Sequence, residues 1–179
     1  MIGRFISKHN ISRNTELPLP DDFINGQGSC AVSRYCFGLF RMAYNGCGAI
    51  AVYNALKLCG ETVDFRETAS KLEKYLVLFG TFGLSPDGIG KYLSSTGREF
   101  RKFTDYNDFA ENVKHGRVFI ICYWTKEPWR STSHFIAFER KHDCYVLYNL
   151  YNNSTGPVRT KDIFSICTKR RYIRGYMLE

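Results

Sequence analysis

The spacing of apolar and polar residues divides the chain into a helical part followed by a strand part. Residues 1–40 have weak periodicity and many Gly, Pro, Asn and Ser residues, which predicts a loop-rich N-terminal arm. Residues 41–115 have helical spacing, and residues 116–179 contain short β-branched and aromatic runs that are typical of strands. Helices followed by antiparallel strands predict an α+β fold, in a single domain over residues 1–179.

The segment that begins at Cys47 is predicted to be the central helix. It is apolar nearly all round as far as Cys59, and Gly60 follows it as a stop signal. Capping signals mark shorter helices that begin near Asp64 and Ser85, and another is predicted over roughly residues 105–114. A helix without a polar face is typical of the buried centre of a domain.

The strand part contains one buried strand and one hairpin. Residues 117–124 form a nearly continuous apolar run, RVFIICYW, which predicts a buried strand. Residues 134–139 and 144–151 are separated by RKHD, which predicts a hairpin with a turn at 140–143. In that register Glu139 pairs with Cys144 across the turn, so the numbers of any two paired residues add up to 283. A last strand is predicted over residues 170–178.

Composition and charge exclude several classes of protein. With 44% hydrophobic and 23% charged residues, the composition is that of a globular protein and not of a disordered one. No apolar run is long enough to cross a bilayer, and the N-terminus has no signal-peptide pattern, so we expect a cytoplasmic protein. The net charge of +8 indicates an acidic partner, although the basic residues are scattered. Their densest cluster, residues 169–174, lacks a stacking motif, so we favour an edge strand over nucleic-acid binding.

Cysteine and histidine spacing gives no sign of a metal site. The chain has 7 cysteines without a C-x-x-C motif and 4 histidines without zinc-ligand spacing. We therefore expect no metal and no cofactor.

Cys47 is the candidate nucleophile. It stands at the start of the predicted central helix, between Gly46 and Gly48. The positive end of a helix lowers the pKa of a thiol and so favours the nucleophilic thiolate. Such a thiolate needs a base, which is usually distant in sequence.

His134 is the candidate general acid–base, because it alone of the histidines begins an apolar strand after a polar loop. In the predicted hairpin register Asn149 lies opposite His134, on the same face of the sheet. Its side-chain oxygen would then orient the imidazole. Asn152 has the opposite parity and becomes the candidate only if a bulge interrupts the strand.

The order of several segments resembles the papain-like cysteine peptidase superfamily, in particular the compact bacteriocin-leader-processing peptidases. The segments are NGCGAIAVYNAL, GTFGLSPDGIGKYLSSTG, RVFIICYW, SHFIAFE and YVLYNLY, within roughly residues 40–155. The resemblance implies helices packed on an antiparallel sheet and a peptide or protein substrate. It also implies Cys47 as nucleophile, His134 as acid–base and Asn149 as the orienting residue.

The sequence departs from this family at the oxyanion hole. The family usually has a Gln six residues before the Cys, where this chain has Arg41, and the only Gln here is Gln27. The Cys47 backbone N–H can still donate, and Asn45 or Tyr44 could supply a second donor.

The function expected from these residues is that of a cysteine peptidase or amidase that acts through a thioester on Cys47. Three alternatives stay open: an acyltransferase with the same site, a papain-like peptide-binding module without activity, and a basic binder of nucleic acid or acidic protein. The net charge of +8 hints at acidic peptide substrates.

Overall fold

The second half of the chain is built around a six-stranded antiparallel sheet. This computed structural model describes residues 2–20, 22–126 and 132–179. The strands of this sheet are β3 (Phe100–Phe103), β4 (Val118–Trp124), β5 (Ser133–Lys141), β6 (Cys144–Tyr148), β7 (Val158–Thr160) and β8 (Tyr172–Leu178), and β1 (Cys36–Phe37) pairs with β2 (Phe40–Arg41) in a separate ribbon. The helices are α1 (Ile2–Asn14), α2 (Met42–Asn45), α3 (Cys47–Leu58), α4 (Phe65–Leu72), α5 (Pro86–Ser95) and α6 (Tyr106–Val113). The spatial order of the large sheet is β3-β8-β4-β5-β6-β7. Helices and an antiparallel sheet together confirm the predicted α+β class.

Helix α3 is the predicted buried helix. All of its residues except Lys57 are buried, and it packs against β5 on one side and α4 on another. One face of the sheet is covered by a core that includes α3, α4 and α5, and the other face packs against α6. Because α3 lies directly on β5, its first turn comes close to the first residues of that strand.

Of the two predicted capping signals, the one at Asp64 is confirmed, and Asp105 caps a further helix. The Asp64 side chain accepts a hydrogen bond of 2.9 Å from the Glu67 N–H at the start of α4. Asp105 does the same for the first turn of α6. At α5, Pro86 is the first helical residue as expected, but Ser85 makes no side-chain capping bond.

The prediction of a loop-rich arm over residues 1–40 is wrong for its first part. Residues 2–14 form α1, which attaches to β1 through a buried amide instead of an apolar stripe. The Asn14 side chain exchanges two hydrogen bonds with the backbone of Cys36, at 3.0 and 2.8 Å. Polar anchoring of this kind leaves little hydrophobic periodicity in the sequence, which is why the helix was not predicted. The strand β3, inside the part predicted to be helical, was also missed.

The predicted register of the hairpin is wrong by two residues. Lys141 pairs with Cys144, so only His142 and Asp143 form the turn, and His142 has a positive φ of 50°. Arg140 stays in the ladder because its N–H and its guanidinium bond to the carbonyls of Arg117 and Gly116, at 2.8 and 3.0 Å. The β5–β6 pairing ends at Ala137 and Tyr148, so Asn149 lies beyond the ladder and is not paired with His134.

Within residues 2–20, 22–126 and 132–179, no helix combines the length and the apolar character needed to span a bilayer.

Candidate active site

Cys47 is the first residue of α3 and is 8% exposed at the base of a cleft. The glycines on either side of it allow tight packing within the protein. A Cβ at Gly46 would lie 2.5 Å from Met42 Sδ, and one at Gly48 would lie 2.8 Å from the Leu84 side chain. Contacts this short force a neighbouring group to move, so glycine is the residue that fits best at both positions.

The close approach at Gly48 predicts that Gly48→Ala destabilises the fold. The added methyl must displace Leu84, and we expect the free energy of unfolding to fall by about 1–2 kcal/mol, even after the gain in helix propensity. Urea denaturation measures this change. Gly156→Ala is the control, because a Cβ there meets no heavy atom within 4 Å. Equal stabilities of the two variants would contradict the packing described here.

His134 lies near the start of β5, where its imidazole shares a hydrogen bond with the Cys47 thiol. The ring Nε2 lies 2.8 Å from the backbone carbonyl oxygen of Asn149. A carbonyl oxygen can only accept, so Nε2 must carry a proton. The other nitrogen, Nδ1, is therefore the one available to Cys47.

The pair is polarised towards a thiolate and an imidazolium. Burial acts to raise the pKa of the Cys47 thiol, but the hydrogen bond and charge of His134, together with the backbone N–H groups of Phe135 and Gly48, bring that pKa below its ordinary value. Burial acts to lower the pKa of His134, but the hydrogen bond and charge of Cys47 and the Asn149 carbonyl bring it above its ordinary value. Each group thus favours the charged form of the other.

Asn149 lies beside His134, but its side chain does not make the contact that the sequence predicted. The contact to the ring comes from the backbone carbonyl, and the side chain bonds to Gln27 instead. The hairpin register explains the difference: Asn149 has left the ladder and has a φ of 61°, a left-handed conformation that Asn tolerates better than most residues. The residue that bonds to His134 Nε2 is thus Asn149 and not Asn152, the candidate for a bulged strand.

The two residues proposed as second oxyanion donors line the cleft, but their donors are used elsewhere. The Asn45 amide donates to the carbonyls of Phe37 and Gly80, at 3.1 Å each. Tyr44 is 63% exposed, and its hydroxyl donates to the Thr81 carbonyl at 3.3 Å. Neither arrangement leaves an N–H or O–H directed at Cys47.

Gln27 also lines the cleft, although it precedes Cys47 by twenty positions and does not have the spacing of the family's Gln. It is 3% exposed, and its Nε2 donates to the carbonyls of Met42 and Ala43 over long distances of 3.4 and 3.3 Å. The fold therefore brings a Gln amide to the cleft from a distant segment, while Arg41 donates to the Arg34 carbonyl instead. The sequence signal was present: Gln27 is the only Gln of the chain and stands between two glycines.

The cleft has a volume of about 760 Å³ and runs past Cys47 and His134. Aromatic residues lie along it: Tyr44, Phe82, Trp124 and Tyr151. Among the described residues that line it, none is a Lys, Arg, Asp or Glu. The charge at the base of the cleft therefore comes from the Cys47–His134 pair.

Within the described ranges, no group of three or more His, Cys, Asp or Glu side chains is placed to hold a metal ion. All seven cysteines are free thiols.

Comparison with known proteins adds a structural likeness. No family model matches the sequence, and no curated protein matches it. The peptidase domain of Streptococcus ComA, a bifunctional ABC transporter involved in quorum sensing, superposes with a TM-score of 0.51 at 14% identity, over 74% of this chain and 89% of that domain. A double-glycine motif protease from an AMS/PCAT transporter, solved with its leader peptide, gives a TM-score of 0.48 at 15% identity, over 73% of this chain and 81% of that one. As the sequence resemblance predicted, the chain has the papain-like fold of the ComA peptidase domain.

Proposed function

We propose that the protein is a cysteine peptidase or amidase that cleaves a peptide or amide bond through a thioester on Cys47. The observation that carries this proposal is the hydrogen-bonded pair of Cys47 and His134 at the base of an open cleft. Their pKa values shift in opposite directions, which favours the ionised pair. A peptide-binding module without activity would have no use for such a polarised thiol, so the pair supports catalysis over mere binding.

The proposed reaction has two steps. The Cys47 thiolate attacks the carbonyl carbon, and the His134 imidazolium gives its Nδ1 proton to the nitrogen of the leaving amine as the C–N bond breaks. Neutral His134 then takes a proton from water, and the resulting hydroxide attacks the thioester. The carboxylic acid leaves, and Cys47 returns to the thiolate while His134 is again protonated. The proton on Nε2 stays in place throughout.

Gln27 supports this reaction as a donor to the negatively charged oxygen that forms in the first step. The Cys47 backbone N–H at the helix start is one donor, and the Gln27 Nε2 group is the second. Its present bonds to the Met42 and Ala43 carbonyls are long, so little is lost when it turns to a developing oxyanion.

The variant Gln27→Glu removes the N–H donor but keeps an acceptor for the Asn149 amide. We expect kcat to fall by about 10²–10³, as for other single oxyanion donors. The thermal midpoint should also fall, because the buried carboxylate would face the Met42 and Ala43 carbonyls, so kcat is compared at a temperature where both proteins are folded. Steady-state kinetics beside a melting curve measure both. A kcat equal to that of the wild type would exclude Gln27 from the oxyanion hole.

The cleft favours uncharged, apolar segments of substrate. Apart from the Cys47–His134 pair, its described lining is aromatic, aliphatic or neutral polar, so the described residues add no Lys or Arg to select the acidic peptides that the net charge hinted at. Apolar side chains beside the scissile bond would pack against Phe82, Leu84 and Leu150.

The proposal is tested with a pool of peptides and an activated acyl ester, p-nitrophenyl acetate. We expect the ester to give a burst of about one equivalent and an acetyl adduct on Cys47 in the intact-protein mass spectrum. We expect peptides with apolar residues at the scissile bond to yield free acids. Products formed only with an added amine would indicate the acyltransferase instead. Absence of both adduct and products would contradict the proposal.

A further inference from the structure

The segment around Gln27 is hydrogen-bonded to Asn149, the residue whose carbonyl bonds to His134. The Asn149 N–H donates to the Asn25 side-chain oxygen at 2.9 Å, and the Gln27 N–H donates to the Asn149 side-chain oxygen at 2.9 Å. The Asn149 amide in turn donates to the Gln27 side-chain oxygen at 3.2 Å. The Gly28 N–H extends this contact to the Asn152 carbonyl, also at 2.9 Å. We call the set of Asn25, Gln27 and Asn149 the clamp.

The clamp leaves no polar group of Asn149 without a bond. The residue is fully buried, and its N–H and both side-chain polar atoms bond to Asn25 and Gln27. Its remaining group, the carbonyl, accepts from His134 Nε2. Three bonds therefore fix the residue whose carbonyl oxygen holds the catalytic imidazole.

The two segments approach each other closely. Gly26, between the two clamp residues of the N-terminal segment, has a φ of 65°, and a Cβ there would lie 2.3 Å from the Ser154 carbonyl oxygen. Only glycine fits this position, so the contact between the segments is tight at the backbone.

We propose that Asn25 is a positioning residue for His134, which acts through Asn149, so that the third member of the catalytic set is a main-chain carbonyl held by the N-terminal segment. This inference rests on the proposed Cys47–His134 site. It explains why the side chain of Asn149 points away from the ring: that side chain holds the backbone in place. A main-chain oxygen cannot take a proton, so it keeps Nε2 protonated and leaves Nδ1 to exchange the proton with Cys47.

The first test is the alkylation of Cys47 by iodoacetamide across pH, resolved by mass spectrometry, in Asn25→Ala and Asn25→Asp. Loss of the acceptor in Asn25→Ala should loosen the backbone at Asn149, weaken the bond between its carbonyl and the imidazolium and slow Cys47 alkylation at pH 6 by roughly tenfold. Asn25→Asp keeps the acceptor oxygen and should restore the rate to within about twofold. Asn153→Ala, an exposed neighbour in the 149–154 loop, is the control.

A purely structural role for Asn25 would lower stability without moving the pH profile of alkylation. If Asn25→Ala keeps the wild-type pH profile of alkylation and Cys47 is still the fastest thiol, Asn25 does not position His134. That result would leave the proposed function intact. If Cys47 is no faster than other thiols in the wild-type protein, the proposed function fails as well.

A second measurement uses the unaltered chain and so does not depend on the folding of any variant. Above the pKa of His134, ¹⁵N-resolved NMR of the ring should show the neutral tautomer with the proton on Nε2. A proton on Nδ1 would overturn the proposal, because the Asn149 carbonyl could not then accept from the ring.

Discussion

Cys47→Ala is expected to lower the turnover number for peptide or ester cleavage on the order of 10⁴- to 10⁶-fold, because it removes the only atom that forms the thioester. The burst of the acyl ester should disappear with it. The fold should remain, since Cys47 is a small side chain and alanine suits the first turn of a helix. Steady-state turnover and the pre-steady-state burst, measured on the same preparation, check this result.

Cys59→Ala is the matched control for this variant. Cys59 lies at the other end of the same helix, immediately after α3, and its thiol is half-buried. Burial raises the pKa of this thiol despite the nearby Arg98 and Arg117, so it is poorly nucleophilic at neutral pH. If Cys47→Ala kept the burst, or if Cys59→Ala lost it, the nucleophile would be another residue.

His134→Ala is expected to reduce turnover at neutral pH by a factor on the order of 10⁴, and to move the remaining reactivity to alkaline pH. In the wild-type protein, turnover should rise as pH passes the lowered pKa of Cys47 and fall as pH passes the raised pKa of His134. Without the imidazole, burial is left to raise the pKa of Cys47, so the thiolate forms only at higher pH.

The pH profile of turnover, measured from pH 5 to pH 10, distinguishes this effect from a general loss of structure. His115→Ala is the control, because the His115 side chain is 75% exposed and is not one of the residues that line the cleft. A His134→Ala variant whose profile keeps the acid limb of the wild type would show that Cys47 does not depend on His134 for its ionisation.

The elements that were predicted correctly are those whose signals are local. The run from Cys47 to Leu58 is apolar on every side, and that alone specifies a buried helix. The Asp64 side chain makes its capping bond to the N–H of Glu67, only three residues further along the chain. The position of Cys47 at the start of a helix follows from the same local pattern, which is why the candidate nucleophile could be named from sequence.

The hairpin and Asn149 show where local signals end. A four-residue polar stretch, RKHD, indicated the turn, but two of its members remain in the strands because Arg140 reaches the carbonyls of a neighbouring segment. That tertiary contact shifted the register by two residues and moved Asn149 off the ladder. Asn149, the residue expected opposite His134, still contacts the imidazole, but it does so through its backbone carbonyl oxygen and not through its side chain.

Helix α1 and the position of Gln27 in the cleft could not be predicted from the sequence, because both depend on contacts between residues that are distant in sequence. Gln27 bonds to Asn149 across 122 positions, and Asn14 bonds to Cys36 across 22. Each of these contacts is made by a polar amide, which leaves no hydrophobic pattern. Amides that bind backbone groups of distant segments are visible only once the fold is known.

The ionised pair of Cys47 and His134 is tested most directly by competitive alkylation of all seven cysteines with limiting iodoacetamide at pH 6, each site quantified by mass spectrometry. The pair predicts that Cys47 reacts first although it is only 8% exposed, that its rate stays high down to the lowered pKa of its thiol, and that His134→Ala abolishes this preference. Equal rates at Cys47 and at the half-buried thiols Cys30, Cys59 and Cys144, all rising only towards pH 9, would contradict it.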